Sequence, residues 1–97
     1  MKYSVVIDPK AKNDIRDIFL YVRKNDGGQA AGKLLTHLED TCNKPEQFPE
    51  RGHIPPELIA AGIKRYLEIH YKPYRIIYEL VKTRVYIHAV IDGRRSV

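Results

Sequence analysis

Cysteine is nearly missing from this chain of 97 residues: Cys42 is the only one. No internal disulfide can form, and no CxxC or mixed Cys/His spacing of the kind that holds zinc is present. The four histidines, His37, His53, His70 and His88, are scattered and make no HxxxH or HxH pair. No metal site and no cofactor are therefore expected. Long apolar runs are also lacking, and none approaches the roughly 18 residues that read as a membrane span. The N-terminus does not have the charged-then-apolar layout of a secretory signal, so a soluble, cytoplasmic protein is expected, with no membrane partner. Without a Gly-rich phosphate loop or a GxSxG turn, nucleotide-cradling and serine-hydrolase chemistry have no footing. Repeats, low-complexity tracts and long linkers are absent, so residues 1–97 read as one domain.

What is abundant is positive charge, and it is unevenly placed. The formal net charge is +5. Residues 1–63 balance nine Lys/Arg against nine Asp/Glu. The excess lies in the last third, where Lys64, Arg65, Lys72, Arg75, Lys82, Arg84, Arg94 and Arg95 face only Glu68, Glu79 and Asp92. Such asymmetry points to an anionic partner, either nucleic acid or an acidic protein. A solvated sheet face rich in Lys and Arg would read the same way.

Hydrophobic periodicity supplies the fold. Lys2 to Ile7 contains Val5, Val6 and Ile7 and reads as a strand. Asp8-Pro9 then opens a helix, with Asp as cap and Pro at the first helical position. Ile15, Ile18, Phe19 and Val22 mark its apolar face. Asn25-Asp26-Gly27-Gly28 interrupts the pattern. Ala31, Leu34, Leu35, Leu38 and Cys42 continue it in a second helix that Pro45 ends. Cys42 lies on the apolar stripe and is read as core. Residues 45–63 are irregular, with one helical turn expected over Glu57 to Ala61. The period then falls to two, and Lys64–Tyr71, Tyr74–Val81 and Arg84–Ile91 become three meandering antiparallel strands. In the last of them Val85, Ile87, Ala89 and Ile91 are expected on one face. The order β-α-α-β-β-β describes an α+β fold of two layers, a helical hairpin packed on a mostly antiparallel four-stranded sheet.

The candidates for chemistry are Tyr66, His70, Tyr71, Tyr74, Arg75, Tyr86, His88, Arg94 and Arg95. Aromatic rings between cations suit RNA, where bases stack and arginine holds phosphate. The same tyrosines also serve as cross-strand packing. A metal-free ribonuclease needs a proton acceptor, a proton donor and a cation at the crowded phosphate. Arg75 and Arg95 fit the last role and a histidine fits the others.

The order and spacing of these pieces resemble the RelE/ParE toxins of type II toxin-antitoxin systems. The resemblance is carried by Ala11, Asp14-Ile15, Ile18 and Tyr21 in the first helix. Gly62-x-x-Arg65, Tyr74-Arg75-Ile76-Ile77-Tyr78-Glu79 and Val85 through Arg95 complete it. It implies a partner antitoxin of ParD or RelB type in a toxin-antitoxin hetero-oligomer. It also implies one of two targets, DNA gyrase for ParE-like members or messenger RNA on the ribosome for RelE-like members. Arg75 and Arg95 match arginines that the RelE branch sets against phosphate. The positions of that branch's catalytic lysines align here with Tyr66 and Glu68, and its C-terminal catalytic tyrosine finds no match. The Asp92-Gly93-Arg94-Arg95 ending is closer to ParE-like members. The resemblance therefore favours a non-catalytic gyrase inhibitor, with Lys64, Arg65, Tyr74, Arg75, Tyr86, Arg94 and Arg95 contacting target or antitoxin. The alternative is a metal-independent, ribosome-dependent endoribonuclease using Arg75, Arg95, His88 and Glu68.

Overall fold

In a computed structural model, which describes residues 3–94, the chain runs β1 (Ser4–Ile7), α1 (Pro9–Asp26), α2 (Gly28–Asn43), a 3-10 turn (Lys44–Glu46), α3 (Pro56–Ala60), β2 (Tyr66–Tyr71), β3 (Tyr74–Val81) and β4 (Arg84–Asp92). The sheet order is β1-β4-β3-β2. β1 lies parallel to β4, and the other pairs are antiparallel. This is the expected α+β architecture. Arg95 and the anticipated strand start at Lys2 lie outside the described residues.

The local signals act as their chemistry dictates. Asp8 is extended, and its carboxylate accepts the Ala11 amide at 3.0 Å, while Pro9 occupies the first helical position. One of the amides left open at the helix start is thereby paired. Gly27 alone joins the two helices. Its φ of 97° lies where a side chain is strained, and its amide returns to the Arg23 carbonyl at 3.1 Å. So short a link forces α1 and α2 to pair side by side. Among the described residues no helix is long and apolar enough to cross a membrane.

The core lies between this hairpin and one face of the sheet. Ala11, Ile15, Leu38 and Cys42 meet Tyr74, Ile76, Tyr78, Val85, Ile87 and Val90. Burial pushes the Cys42 thiol up to about 12, with Glu39 adding to the shift, so it is an inert core residue.

The expected alternation fails in one place. Tyr78 pairs with Ile87 but Ile77 pairs with Ala89, which leaves His88 as an extra residue in β4. This β-bulge inverts the phase, so that Val90 is buried while Ala89 and Ile91 are only half-buried. Beyond the bulge the Val90 amide donates to Asp14 on α1 at 3.0 Å, tying helix to sheet.

Candidate functional site

The cross-strand register decides which side chains meet on the face away from the helices. Tyr66 opposes Glu79, Glu68 opposes Ile77, and His70 opposes Arg75. Two polar clusters result, with Ile77 between Glu79 and Arg75 on β3.

The first cluster is centred on Glu68, whose side chain is 1% exposed. Arg75 grips it with two bonds, Nε to Oε1 at 3.1 Å and Nη2 to Oε2 at 2.8 Å. The same guanidinium bonds Glu57 at the start of α3, and His70 bonds Glu68 Oε1. His53 brings its Nε2 to 3.7 Å from that oxygen. Burial works against the Glu68 charge, but the hydrogen bonds from Arg75 and His70 outweigh it and hold the carboxyl below its ordinary value. Its bonds to Glu68 and Glu57 push Arg75 the opposite way, upward.

His53 comes from the irregular segment and is held by backbone pairing. Its amide donates to the Glu68 carbonyl at 3.0 Å, and the Glu68 amide returns to the His53 carbonyl at 2.7 Å. That segment is fastened from beneath by Tyr78. Its buried hydroxyl donates to the Pro49 carbonyl at 2.7 Å and accepts the Gly52 amide at 3.0 Å. A pocket of about 250 Å³ opens beside the cluster, lined by His53, Glu68 and His70 together with Lys44 and Arg51.

The second cluster is centred on His88, placed on the outer face by the bulge. Nδ1 donates to Asp8 at 2.7 Å and Nε2 donates to Glu79 at 2.9 Å. Ionised carboxylates only accept, so the two bonds form together only when both ring nitrogens are protonated. Partial burial pulls His88 down, but the bonds and charges of Glu79 and Asp8 hold it above its ordinary value. Arg65 completes the chain, with Nε 3.3 Å from Glu79 and its guanidinium 5.0 Å above the Tyr66 ring. Tyr66 meets His88 edge-on and Tyr86 stacks beside it.

A pH dependence follows. A raised histidine value contributes stability that is complete below the ordinary 6.5 and is lost as pH rises through the folded value. Asp8 and Glu79 are held below their ordinary 3.8 and 4.5, so their share is present above those values and is lost as pH falls through the folded ones. For Asp8 burial opposes this, but the Ala11 amide and His88 prevail, while for Glu79 the His88 bond is the main cause. His88→Gln should cost about 1 kcal/mol, or roughly 4–8 °C in melting temperature, near pH 6. The loss should shrink toward pH 8. Melting curves recorded from pH 5 to 8 check this, and a pH-independent gap between the two proteins would contradict it.

The residues singled out from the sequence do not form one basic surface. Arg94 is paired with Asp92 through Nε at 3.1 Å and Nη2 at 2.8 Å. It lies at the β2–β3 turn end of the sheet, where Asp92 opposes Tyr74. Tyr74 is 6% exposed and belongs to the core. Arg65 and Tyr86 stand on the outer face, around the His88 cluster. Arg95 falls outside the described residues.

Among the described residues, exposed Lys64, Lys82 and Arg84 form no ion pair. They gather at the other end of the sheet, where β2 begins and the β3–β4 turn lies. The physical reason is simple. Glu79, Glu68 and Asp92 pair with Arg65, Arg75 and Arg94 within the last third, and Glu57 folds back onto Arg75 from outside it, so the charge count does not become one charged face. His53 and Glu57 were not singled out, because their approach to Glu68 and Arg75 depends on the Tyr78 anchor and no sequence spacing encodes it.

Comparison with known proteins agrees with this architecture. A family model described as the ParE toxin of the type II toxin-antitoxin system parDE matches residues 5–97. No curated protein gives a significant match. Among solved structures, the chromosomal ParDE toxin-antitoxin system from P. aeruginosa contains a similar chain. The TM-score is 0.79 at 14% identity, covering 94% of this chain and 96% of that one. The RelBE2 toxin-antitoxin complex from Mycobacterium tuberculosis contains another, with a TM-score of 0.67 at 16% identity, covering 95% and 99%. With the family model spanning nearly its whole length, the chain belongs to the ParE toxin family of type II toxin-antitoxin systems.

Proposed function

We propose that this toxin arrests growth by inhibiting DNA gyrase through its protein surface, in the cytoplasm, and that a cognate antitoxin silences it in a hetero-oligomer. The observation that carries the choice of target is the state of Arg75. Its guanidinium is shared between Glu68 and Glu57, two negative charges around one positive. A phosphate approaching it must displace a bidentate carboxylate and compete with the Glu57 bond as well, which disfavours RNA cleavage there. The His88 cluster likewise balances Arg65 and the imidazolium against Asp8 and Glu79. In both clusters the arginines are already paired with carboxylates.

A surface that docks on proteins fits better. Ile63 and Val81, large apolar side chains left exposed, adjoin Lys64 and Lys82 in the chain. An antitoxin segment that folds on binding would cover such side chains, and its acidic groups would meet Lys64, Lys82 and Arg84. The solved structures of similar fold named above are toxin-antitoxin systems, which supports this partner.

Pulse labelling after induction tests the target. DNA synthesis should stop first, with amino-acid incorporation continuing for a further interval. Co-expression of the adjacent antitoxin gene should restore growth. Translation failing first, with cleaved message, would favour the ribonuclease reading instead.

A further inference from the structure

We infer that His53, Glu68 and His70 form a binding site for a divalent transition-metal ion of the zinc type. Their ligand atoms, two imidazole nitrogens and one carboxylate oxygen, all lie within 4.8 Å of one another. Tetrahedral zinc, with bonds of about 2.0–2.2 Å, sets its ligands roughly 3.4 Å apart. His53 Nε2 already stands 3.7 Å from Glu68 Oε1. Both histidines are exposed enough to turn through the remaining distance, at 58% and 39% of their side-chain surface.

Three features distinguish this trio from a chance cluster. The backbones of His53 and Glu68 are paired in both directions, so their side chains are presented side by side by a rigid bridge rather than by a free loop. Arg75 bonds both oxygens of Glu68, Nη2 to Oε2 at 2.8 Å and Nε to Oε1 at 3.1 Å, the kind of outer partner that fixes the orientation of a metal-binding carboxylate. Glu57 stands behind Arg75, so two carboxylates share the one guanidinium and Glu68 is not fully neutralised by it.

The donor set selects the ion. Two imidazoles with one carboxylate suit zinc, nickel or cobalt rather than magnesium or calcium, which prefer oxygen throughout. Three protein ligands leave a fourth position, and the adjoining pocket has Lys44 and Arg51 in its wall. Water or a small anion would fill that position. The bound ion would staple the irregular segment 47–55, through His53, to the edge strand β2.

The test titrates Co²⁺ and then Zn²⁺ into the purified full-length chain, reading the visible bands of tetrahedral cobalt and the melting temperature. One Co²⁺ per chain is expected, displaced by Zn²⁺, with Zn²⁺ raising the melting temperature. His53→Asn and His70→Asn alter exposed side chains and should keep the native circular dichroism. Each should weaken binding by more than the roughly 10–100-fold typical of losing an outer partner and abolish the thermal shift. His37→Gln should leave binding unchanged. Absence of tetrahedral bands, or binding that survives in either single variant at undiminished affinity, would overturn the site.

Discussion

Replacing Arg75 with alanine should destabilise the fold by about 3–5 kcal/mol, the usual cost of removing one partner from a buried ion pair. The reason lies with the residue left behind. Glu68 is 1% exposed and takes both of its Arg75 bonds through a single guanidinium. Without that group the buried carboxylate keeps only its His70 bond, and desolvation of the charge is no longer offset. Glu57 also loses its tie, so α3 loosens from β3. Removing both charges tells a different story. Glu68→Met with Arg75→Leu deletes the stranded charge together with its partner, and most of the single-variant loss should return. Urea unfolding measures both, as a lower midpoint at unchanged slope for Arg75→Ala. A loss under about 1 kcal/mol would mean that the pair is screened like a surface salt bridge.

Gly52→Ala should be the second costly change. A Cβ there would stand 2.5 Å from the Tyr78 hydroxyl, 2.7 Å from the Glu68 carbonyl and 3.0 Å from the Tyr78 ring. Tyr78 is fully buried and cannot swing aside, and the carbonyl belongs to the sheet. The loop must retreat, breaking the Gly52–Tyr78 bond and the His53 bridge behind it. Overpacking of this kind costs about 1–3 kcal/mol, and the lost hydrogen bonds take it to the upper end of that range. A fall in melting temperature of roughly 10–20 °C is expected. Tyr78→Phe alone should cost about 1–3 kcal/mol, because the Pro49 carbonyl and the Gly52 amide lose their partner. The double variant should cost less than the sum, since removing the hydroxyl also removes the closest clash. Additive losses would show that the alanine is accommodated without touching Tyr78.

These two sites also mark the boundary of what the sequence makes legible. Local chemistry is written plainly. Asp8-Pro9 caps a helix, Gly27 turns the chain, and alternation from Tyr66 to Val81 assigns each side chain to its face. These signals act over a few residues, within reach of spacing arguments. The bulge at His88 is different. One extra residue inverts everything after it, and nothing in Ile87-His88-Ala89-Val90 announces the insertion.

The site shows the same division. The resemblance pointed to Arg75 and Glu68, and both sit at the heart of the first cluster. That Arg75 is neutralised by Glu57, 18 residues away, and that His53 pairs with Glu68, are consequences of packing. A charge count over the last third of the chain foresaw a basic face. It could not include Asp8 and Glu57, which come from the first two-thirds and meet His88 and Arg75 only after folding.

Incubating the purified protein with DNA gyrase and supercoiled plasmid, then trapping cleaved DNA with denaturant, tests the central claim most directly. Linear plasmid should accumulate with toxin dose, only when gyrase is present, and should vanish when the antitoxin is added first. An undisturbed gyrase reaction, alongside message cut on translating ribosomes by the same preparation, would contradict the account.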